Sequence, residues 1–227
     1  MIEAVVTDIE GTTTSISFVH EVLFPYARRE LPRFVDEHLE DPGVAGHLET
    51  VRELAQCDGS KEALVEALLS WMQEDRKVTP LKALQGMIWE NGYRSGELKG
   101  HLYEDAYRYL RKWREDGVPL FVFSSGSIYA QRLLFGHTEY GDLNSWFSGN
   151  FDTTLGSKKE KESYEGIISS IGKPGPAILF LSDVGEELDA AAAAGMKTVQ
   201  LVRDSGIVPS PSHTRVTSFE EIVWVDL

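Results

Sequence analysis

Four short apolar runs, each followed by polar or turn-forming residues, constrain the fold of this chain more than any other feature. They cover residues 2–8, 118–123, 177–181 and 198–202. Runs of this length and apolarity are typical of strands buried on both faces of a sheet. The first run stops at Asp8, the second precedes Ser124, and the third leads through a serine to Asp183.

The segments between these runs in the second half of the chain have helical spacing. Tyr164, Ile167, Ile168 and Ile171, for example, recur at intervals of three and four residues. Alternating strands and helices predict a doubly wound α/β fold, with a parallel sheet covered by helices on both faces. Ligands of such folds bind beyond the carboxyl ends of the strands.

The interval between the first two runs breaks this alternation, since it contains several amphipathic stretches and no convincing buried strand. We therefore predict a catalytic core from residues 1–15 and 118–227, with an inserted all-helical cap domain over residues 16–117. Asp58, Gly59 and Ser60 mark a turn and a helix N-cap before a helix over Lys61–Asp75.

Composition limits the possible partners and compartment. A formal charge of −14 argues against binding to nucleic acid or to an anionic membrane surface, and no apolar run approaches the ~20 residues of a membrane span. The beginning of the sequence does not resemble an export signal, and Cys57, the single cysteine, cannot form an internal disulfide. We expect a cytoplasmic protein with no nucleic-acid or membrane partner.

Acidic residues follow two of the predicted strands, Asp8 with Glu10 and Asp183 with Glu187. The carboxyl ends of parallel strands lie at one edge, where four carboxylates would repel one another and raise each other's pKa. A divalent cation resolves that conflict, and carboxylate oxygens suit magnesium. The sequence therefore predicts one bound Mg²⁺ per subunit.

Each of these segments alone also has an ordinary structural interpretation. Asp8 and Glu10 could form a helix cap and a solvated turn, and Ser124–Ser127 a turn with a helix cap. Lys158 belongs to the charged run 157–161, of a kind that usually faces solvent. Their order along the chain, each after a predicted strand, favours a shared site.

These residues resemble the four ordered motifs of the haloacid-dehalogenase-like phosphatases. Those motifs are matched by Asp-Ile-Glu-Gly-Thr-Thr from Asp8, by Ser124, by Lys158 in Gly-Ser-Lys, and by Asp183 with Glu187. The resemblance covers almost the whole chain, with the insertion where that family has its cap. Further stretches, Lys-Trp-Arg-Glu at 112–115, Ser-Ser-Gly-Ser at 124–127 and Leu-Leu-Phe-Gly-His at 133–137, are similar to the enolase-phosphatases of methionine salvage.

The resemblance implies roles for the first and last motifs. Asp8 is the expected nucleophile that forms an aspartyl phosphate, and Glu10 the general acid and base. Magnesium would be bound by Asp8, Asp183 and an oxygen of Glu10, either of its side chain or of its main chain. Most of the superfamily has aspartate where this chain has Glu10, whereas glutamate is usual in the enolase-phosphatases.

It also implies how the phosphate is held. The Ser124 hydroxyl and the main-chain N–H of Ser125 or Gly126 would bind phosphate oxygens. Lys158 would balance the charge of Asp8 and of the transferred group, and Glu187 would act through its neighbours.

The implied reaction enolises 2,3-diketo-5-methylthiopentyl 1-phosphate and then removes the phosphate, giving the acireductone 1,2-dihydroxy-3-keto-5-methylthiopentene. Glu10, a serine, Lys158 and a cap residue are the candidates for the base that moves the proton during enolisation. The resemblance implies a monomer whose cap closes over the site and selects the small phosphorylated diketone.

Three other functions compete with this interpretation. A related phosphatase for another small metabolite would share every core residue, because the cap sets the substrate. A metal-free dehalogenase would have little use for Glu10 or for so acidic a site. A phosphoacceptor signalling module would have about 120 residues and its aspartate after the third strand.

Overall fold

Six parallel strands form one sheet in the computed structural model, which describes residues 1–224. In chain order the strands are β1 Ala4–Thr7, β2 Leu120–Phe123, β3 Phe147–Phe151, β4 Ile178–Ser182, β5 Lys197–Leu201 and β6 Thr214–Val216. The helices are α1 Ile16–Phe18, α2 Phe24–His38, α3 Pro42–Ala55, α4 Lys61–Gln73, α5 Thr79–Ser95, α6 Glu104–Glu115, α7 Ile128–Gly136, α8 Lys161–Ile171 and α9 Gly185–Ala193. A π-helical turn, Val19–Leu23, joins α1 to α2. The predicted parallel α/β fold is confirmed.

The strand order is β3-β2-β1-β4-β5-β6. From β1 the chain builds the sheet outward through β2 and β3, then returns to the other side of β1 and continues through β4, β5 and β6. The order therefore reverses between β1 and β4. In open α/β sheets this is the place where a crevice forms at the carboxyl ends of the strands.

Helix α8 shows why the sheet core is stable. Its buried Tyr164 packs edge-to-face against Phe123 of β2 and Phe180 of β4, with ring centroids 5.5 and 5.1 Å apart. Ile167, one turn further along the same helix, is also fully buried in this cluster. The helical spacing seen in the sequence is the spacing of the residues that face the sheet.

The chain divides into two compact units. One comprises Met1–Ile16 with the described residues from Gly100 onward, and the other comprises Ser17–Lys99. The sequence placed the second boundary before Val118, and the structure places it before Gly100. The reason is α6, an amphipathic helix that looks like more of the insertion but packs in the first unit, where its Trp113 stacks on Phe219 with ring centroids 5.6 Å apart.

Two strands were not predicted. β3 reads Phe-Ser-Gly-Asn-Phe and is only partly buried, so it has no apolar run, and the three-residue edge strand β6 has a single buried residue. Both pair in parallel with strands that were predicted, β2 and β5. Tertiary pairing rather than local composition defines them.

The Ser17–Lys99 unit is built from helices. Pro25 lies in the first turn of α2, directly after the π-helical turn, and Pro32 lies inside the same helix. The predicted N-cap is present at α4, since Ser60 Oγ accepts a hydrogen bond from the Ala63 N–H. Within residues 1–224, none of the helices combines the length and the apolarity that a membrane span requires.

Candidate active site

The central strands deliver three of the predicted site residues to one edge of the sheet. Thr7, the last residue of β1, is in register with residue 122 of β2 and residue 181 of β4. Ser124 and Asp183 therefore each lie one residue beyond the level of Asp8. The Asp8 N–H also donates to the carbonyl of residue 181 at 2.8 Å, which holds Asp8 against β4.

A buried lysine connects the acids at this edge. Lys158 Nζ lies 2.5 Å from Asp8 Oδ1 and 2.7 Å from Glu187 Oε2. The three side chains are 8, 6 and 10% exposed, so these ion pairs are shielded from solvent and much less weakened by salt than surface pairs. The structure thus turns Lys158 inward, although the neighbouring Lys159 of the same charged run is 61% exposed.

The backbone around Lys158 is fixed by α8. Tyr164 donates its hydroxyl hydrogen to the Lys158 carbonyl at 2.7 Å, and Ser163 Oγ donates to the Ser157 carbonyl at 2.7 Å. Gly156 has a φ of +147°, and a Cβ at that position would overlap the Ser163 hydroxyl. The Gly-Ser-Lys sequence is therefore a turn that only glycine can begin, and it aims the lysine at the sheet edge.

Glu187 is held by two side chains. Ser182 Oγ donates to Glu187 Oε2 at 2.9 Å, the same oxygen that Lys158 contacts, and accepts from the Val184 N–H at 3.1 Å. Burial and the nearby charge of Asp8 raise the pKa of Glu187 to about 7, although Lys158 opposes the shift. Burial, then Asp8 and Glu187, likewise raise the pKa of Asp183 to about 7.

The charges at the site fit a divalent cation. Asp8, Asp183 and Glu187 are all buried, and within residues 1–224 Lys158 is the one ammonium paired with any of them, at Asp8 and Glu187. Gly11 lies directly against the Asp183 carboxylate, so that a Cβ at Gly11 would overlap Oδ2. This combination of concentrated negative charge and hard oxygen donors suits magnesium.

Residues 1–224 contain no group of three or more His, Cys, Asp or Glu side chains arranged to hold a metal ion. Magnesium does not require one, because it commonly takes one or two carboxylates and completes its shell with water and phosphate oxygens. In addition to burial, the charge of Asp8 raises the pKa of Asp183, so these two carboxylates are close to each other.

The loop after β2 contains the predicted phosphate-binding residues. Ser124 is buried, and its Oγ accepts a hydrogen bond from the Gly126 N–H at 3.2 Å. Ser127 then caps α7 by accepting from the Ala130 N–H at 3.2 Å. Ser125 and Gly126 thus lie immediately before the N-terminus of α7, which favours an anion.

Glu10 lies on the loop that leaves β1. It is partly buried and forms an isolated bridge with Thr14. Gly11 between them has a φ of +73°, and its N–H donates to the Thr14 carbonyl at 2.8 Å. Glu10 is therefore at the base of a tight turn directly after Asp8.

Comparison with known proteins identifies the family to which the chain belongs. The family described as haloacid dehalogenase-like hydrolase matches residues 2–195. A protein named Enolase-phosphatase E1 from Pseudomonas syringae pv. syringae is 56% identical over 96% of both chains. One of the same name from Aquifex aeolicus is 49% identical over 98% of this chain and 99% of its own.

The chain belongs to the enolase-phosphatase family of haloacid-dehalogenase-like hydrolases. Among solved structures, the UTR4 protein of Saccharomyces cerevisiae is 36% identical to this enolase-phosphatase family member, with a TM-score of 0.83 over 98% of this chain and 100% of that one. CbbY from Rhodobacter sphaeroides, at 18% identity and a TM-score of 0.61, shares the fold.

Two polar residues that support the site in this enolase-phosphatase family member were missed in the sequence. Gln200, fully buried on β5, donates from Nε2 to the Asp183 carbonyl at 2.9 Å. Arg203, just beyond the same strand, donates from Nε to the Thr12 carbonyl at 2.8 Å. A glutamine inside an apolar run was the available signal for the first, whereas nothing in the local sequence singles out the second.

Proposed function

We propose that this chain is a bifunctional enolase-phosphatase that converts 2,3-diketo-5-methylthiopentyl 1-phosphate to its acireductone. The observation that carries the phosphatase half is the 2.5 Å contact between Lys158 and Asp8 at the carboxyl edge of β1. A buried ammonium bonded to the aspartate attracts a phosphate to it and balances part of the negative charge there. The substrate itself is inferred from the motifs shared with the family.

Phosphate removal then takes two displacements at phosphorus. An Asp8 carboxylate oxygen bonds to phosphorus as the bond to the ester oxygen breaks, and that oxygen leaves with the electron pair and takes the Glu10 proton. Water next attacks phosphorus and gives a proton to Glu10, while the aspartyl P–O bond breaks and returns its electron pair to Asp8. Inorganic phosphate departs, and both carboxyl groups are restored.

Other residues bind and orient the phosphate. The Ser124 hydroxyl and the main-chain N–H of Ser125 or Gly126 are proposed to donate to its oxygens at the start of α7. Asp8, Asp183 and an oxygen of Glu10 are the proposed magnesium ligands, and the ion would supply neutralising charge for the phosphate and the substrate oxygens.

The structure narrows the candidates for the enolising base. Glu10, a serine, Lys158 and a cap residue are the candidates. Burial would lower the pKa of Lys158, but the carboxylates of Asp8 and Glu187 outweigh it and raise that pKa, which favours the other three candidates over Lys158.

The decisive experiment supplies the diketo phosphate with magnesium and follows two signals, the ultraviolet absorbance of the enolised product and the released phosphate. Both should appear with the wild-type protein. Phosphate release from many unrelated esters without the enol signal would instead indicate a phosphatase of another metabolite.

Two controls connect the activity to the site. Asp8→Asn should release no phosphate, whereas Asp116→Asn, an exposed residue at the end of α6, should match the wild type. Appreciable turnover by Asp8→Asn would refute the assigned nucleophile. Excess chelator should stop both signals, and enolisation that persists would restrict the metal to phosphoryl transfer. We further propose a monomer that acts in the cytoplasm.

A further inference from the structure

An arginine with a buried side chain lies beside the loop that contains Glu10. Arg203 follows β5 and is 7% exposed, and its guanidinium forms two bonds to Asp105, at 3.1 and 2.7 Å. A third bond runs from Nε to the Thr12 carbonyl at 2.8 Å, and Arg203 Cζ lies 4.1 Å from the Tyr103 ring centroid. These contacts fix the guanidinium on three sides.

A buried ion pair of this kind is weak evidence for stability, because removing both charges from water costs about as much as their attraction returns. A pair of this kind is better explained by the single local conformation of the chain that it specifies. The pair bonds two further main-chain groups of the unit. The Phe219 N–H donates to Asp105 Oδ2 at 2.8 Å, and the Thr12 carbonyl, four residues after Asp8, accepts from Arg203.

We define the acid loop as residues 10–14. The N–H groups of Thr12, Thr13 and Thr14 all donate to the Ile9 carbonyl at 2.9 to 3.2 Å, and the Gly11 N–H donates to Thr14. These bonds give the loop its internal turn.

Residues outside the loop also hold it. Thr14 Oγ1 donates to the His101 carbonyl at 2.5 Å, and two main-chain carbonyls of the loop accept bonds. The Thr13 carbonyl accepts from the Tyr103 N–H at 2.9 Å, and the Thr12 carbonyl accepts from Arg203. Tyr103 and Arg203 also stack on each other, so one compact group holds two consecutive carbonyls of the loop. Glu10 is joined to this turn through its bridge with Thr14.

We propose that Arg203, anchored by Asp105, is a positioning residue that holds the acid loop so that Glu10 can transfer its proton in the phosphatase step. This inference rests on the proposed function, in which the ester oxygen takes the Glu10 proton as the P–O bond breaks. A general acid typically contributes about 10²- to 10⁴-fold to such a step and must be within hydrogen-bonding reach of its target. A displacement of about 1 Å can cost about 10²-fold.

Lysine cannot replace arginine here. A lysine keeps the charge, but a single ammonium cannot reproduce the planar fork that bonds Asp105 and Thr12 at once. Arg203→Lys should therefore leave a folded protein whose acid loop is less well fixed. Arg108→Lys is the matched control, because Arg108 forms an exposed ion pair with Glu220 in the same unit.

The test is a double-mutant cycle between Arg203→Lys and Glu10→Gln, read as single-turnover phosphate release from the diketo phosphate. In the wild-type background Arg203→Lys should slow release by about 10- to 100-fold. In the Glu10→Gln background the same change should have an effect of no more than about threefold, since the proton transfer it supports is already absent. Arg108→Lys should leave both backgrounds unchanged.

Equal losses in both backgrounds would overturn the inference, because they would mean that Arg203 acts on the whole unit rather than through Glu10. An unchanged rate for Arg203→Lys would overturn it as well. Should Arg203→Lys fail to fold, Asp105→Asn provides the milder perturbation and must show the same non-additivity with Glu10→Gln. If the wild type releases no phosphate from the diketo phosphate, the proposed function is refuted and the inference about Arg203 is not. The double-mutant cycle can then be run on whichever phosphate ester the protein hydrolyses.

Discussion

Replacing Lys158 by methionine should destabilise the protein sharply in the absence of metal. The substitution keeps most of the side-chain volume but removes the ammonium that lies 2.5 Å from Asp8 and 2.7 Å from Glu187. Breaking a buried ion pair by deleting one partner costs about 3–5 kcal/mol.

The measurement is urea unfolding near neutral pH with chelator present, followed by circular dichroism. The transition midpoint of Lys158→Met should fall with little change in slope. Lys159→Met is the matched control, because Lys159 is the next residue and pairs with Glu186 on the exposed surface; its midpoint should equal that of the wild type. Magnesium should restore part of the loss in Lys158→Met, since it binds only the folded site.

A Lys158→Met midpoint that coincides with that of Lys159→Met would refute this reasoning. It would mean that the buried acids do not depend on the lysine for charge compensation. The case for a cation at the same carboxylates would then also lose its main support.

Three further results are expected. Gly11→Ala should weaken magnesium binding, measured by titration calorimetry, because the new Cβ displaces the Asp183 carboxylate and the alanine must adopt the unfavourable φ of +73°. Unchanged affinity would exclude Asp183 as a ligand. Gln200→Leu should lower the free energy of unfolding by about 1–3 kcal/mol, since the buried Asp183 carbonyl loses its donor; an equally stable variant would contradict this. In Asp105→Asn, the free energy of unfolding should fall less steeply with decreasing pH than in the wild type. Burial alone would raise the pKa of Asp105, but bonds from Arg203 and a main-chain N–H outweigh it and lower that pKa, so its stabilisation is present above about pH 4 and is lost as the pH falls through the lower folded value. An acid limb that is identical in the variant would exclude this contribution.

The sequence predicted the parts of the site that follow apolar strands. Asp8, Ser124 and Asp183 each come directly after a buried run, and parallel pairing requires such positions to share an edge. Lys158 was predicted only through the motifs shared with the family, because its charged run gives no indication of which lysine turns inward.

The remaining features depend on distant contacts. Arg203 bonds to residues 98 and 191 positions away, and no local pattern encodes such a pairing. β3 was missed because its half-buried Phe147–Phe151 sequence has no apolar run. The sequence placed the unit boundary after α6 rather than before it, because α6 has the same helical periodicity as the helices of the insertion. Only the packing of α6 shows which unit it belongs to.

The central place of β1 in the sheet affects how the nascent chain folds. β1 is the first strand to leave the ribosome, yet its two neighbours begin only at residues 120 and 178. At about 5–20 residues per second, roughly 170 residues take on the order of 10 to 30 seconds to synthesise. Both hydrogen-bonding edges of the apolar Ala4–Thr7 segment are exposed until β2 is made, and the edge that pairs with β4 stays exposed until the end of that interval. The helices of residues 17–99 can meanwhile form local contacts. Chaperone binding during translation should therefore concentrate on the Ala4–Thr7 segment.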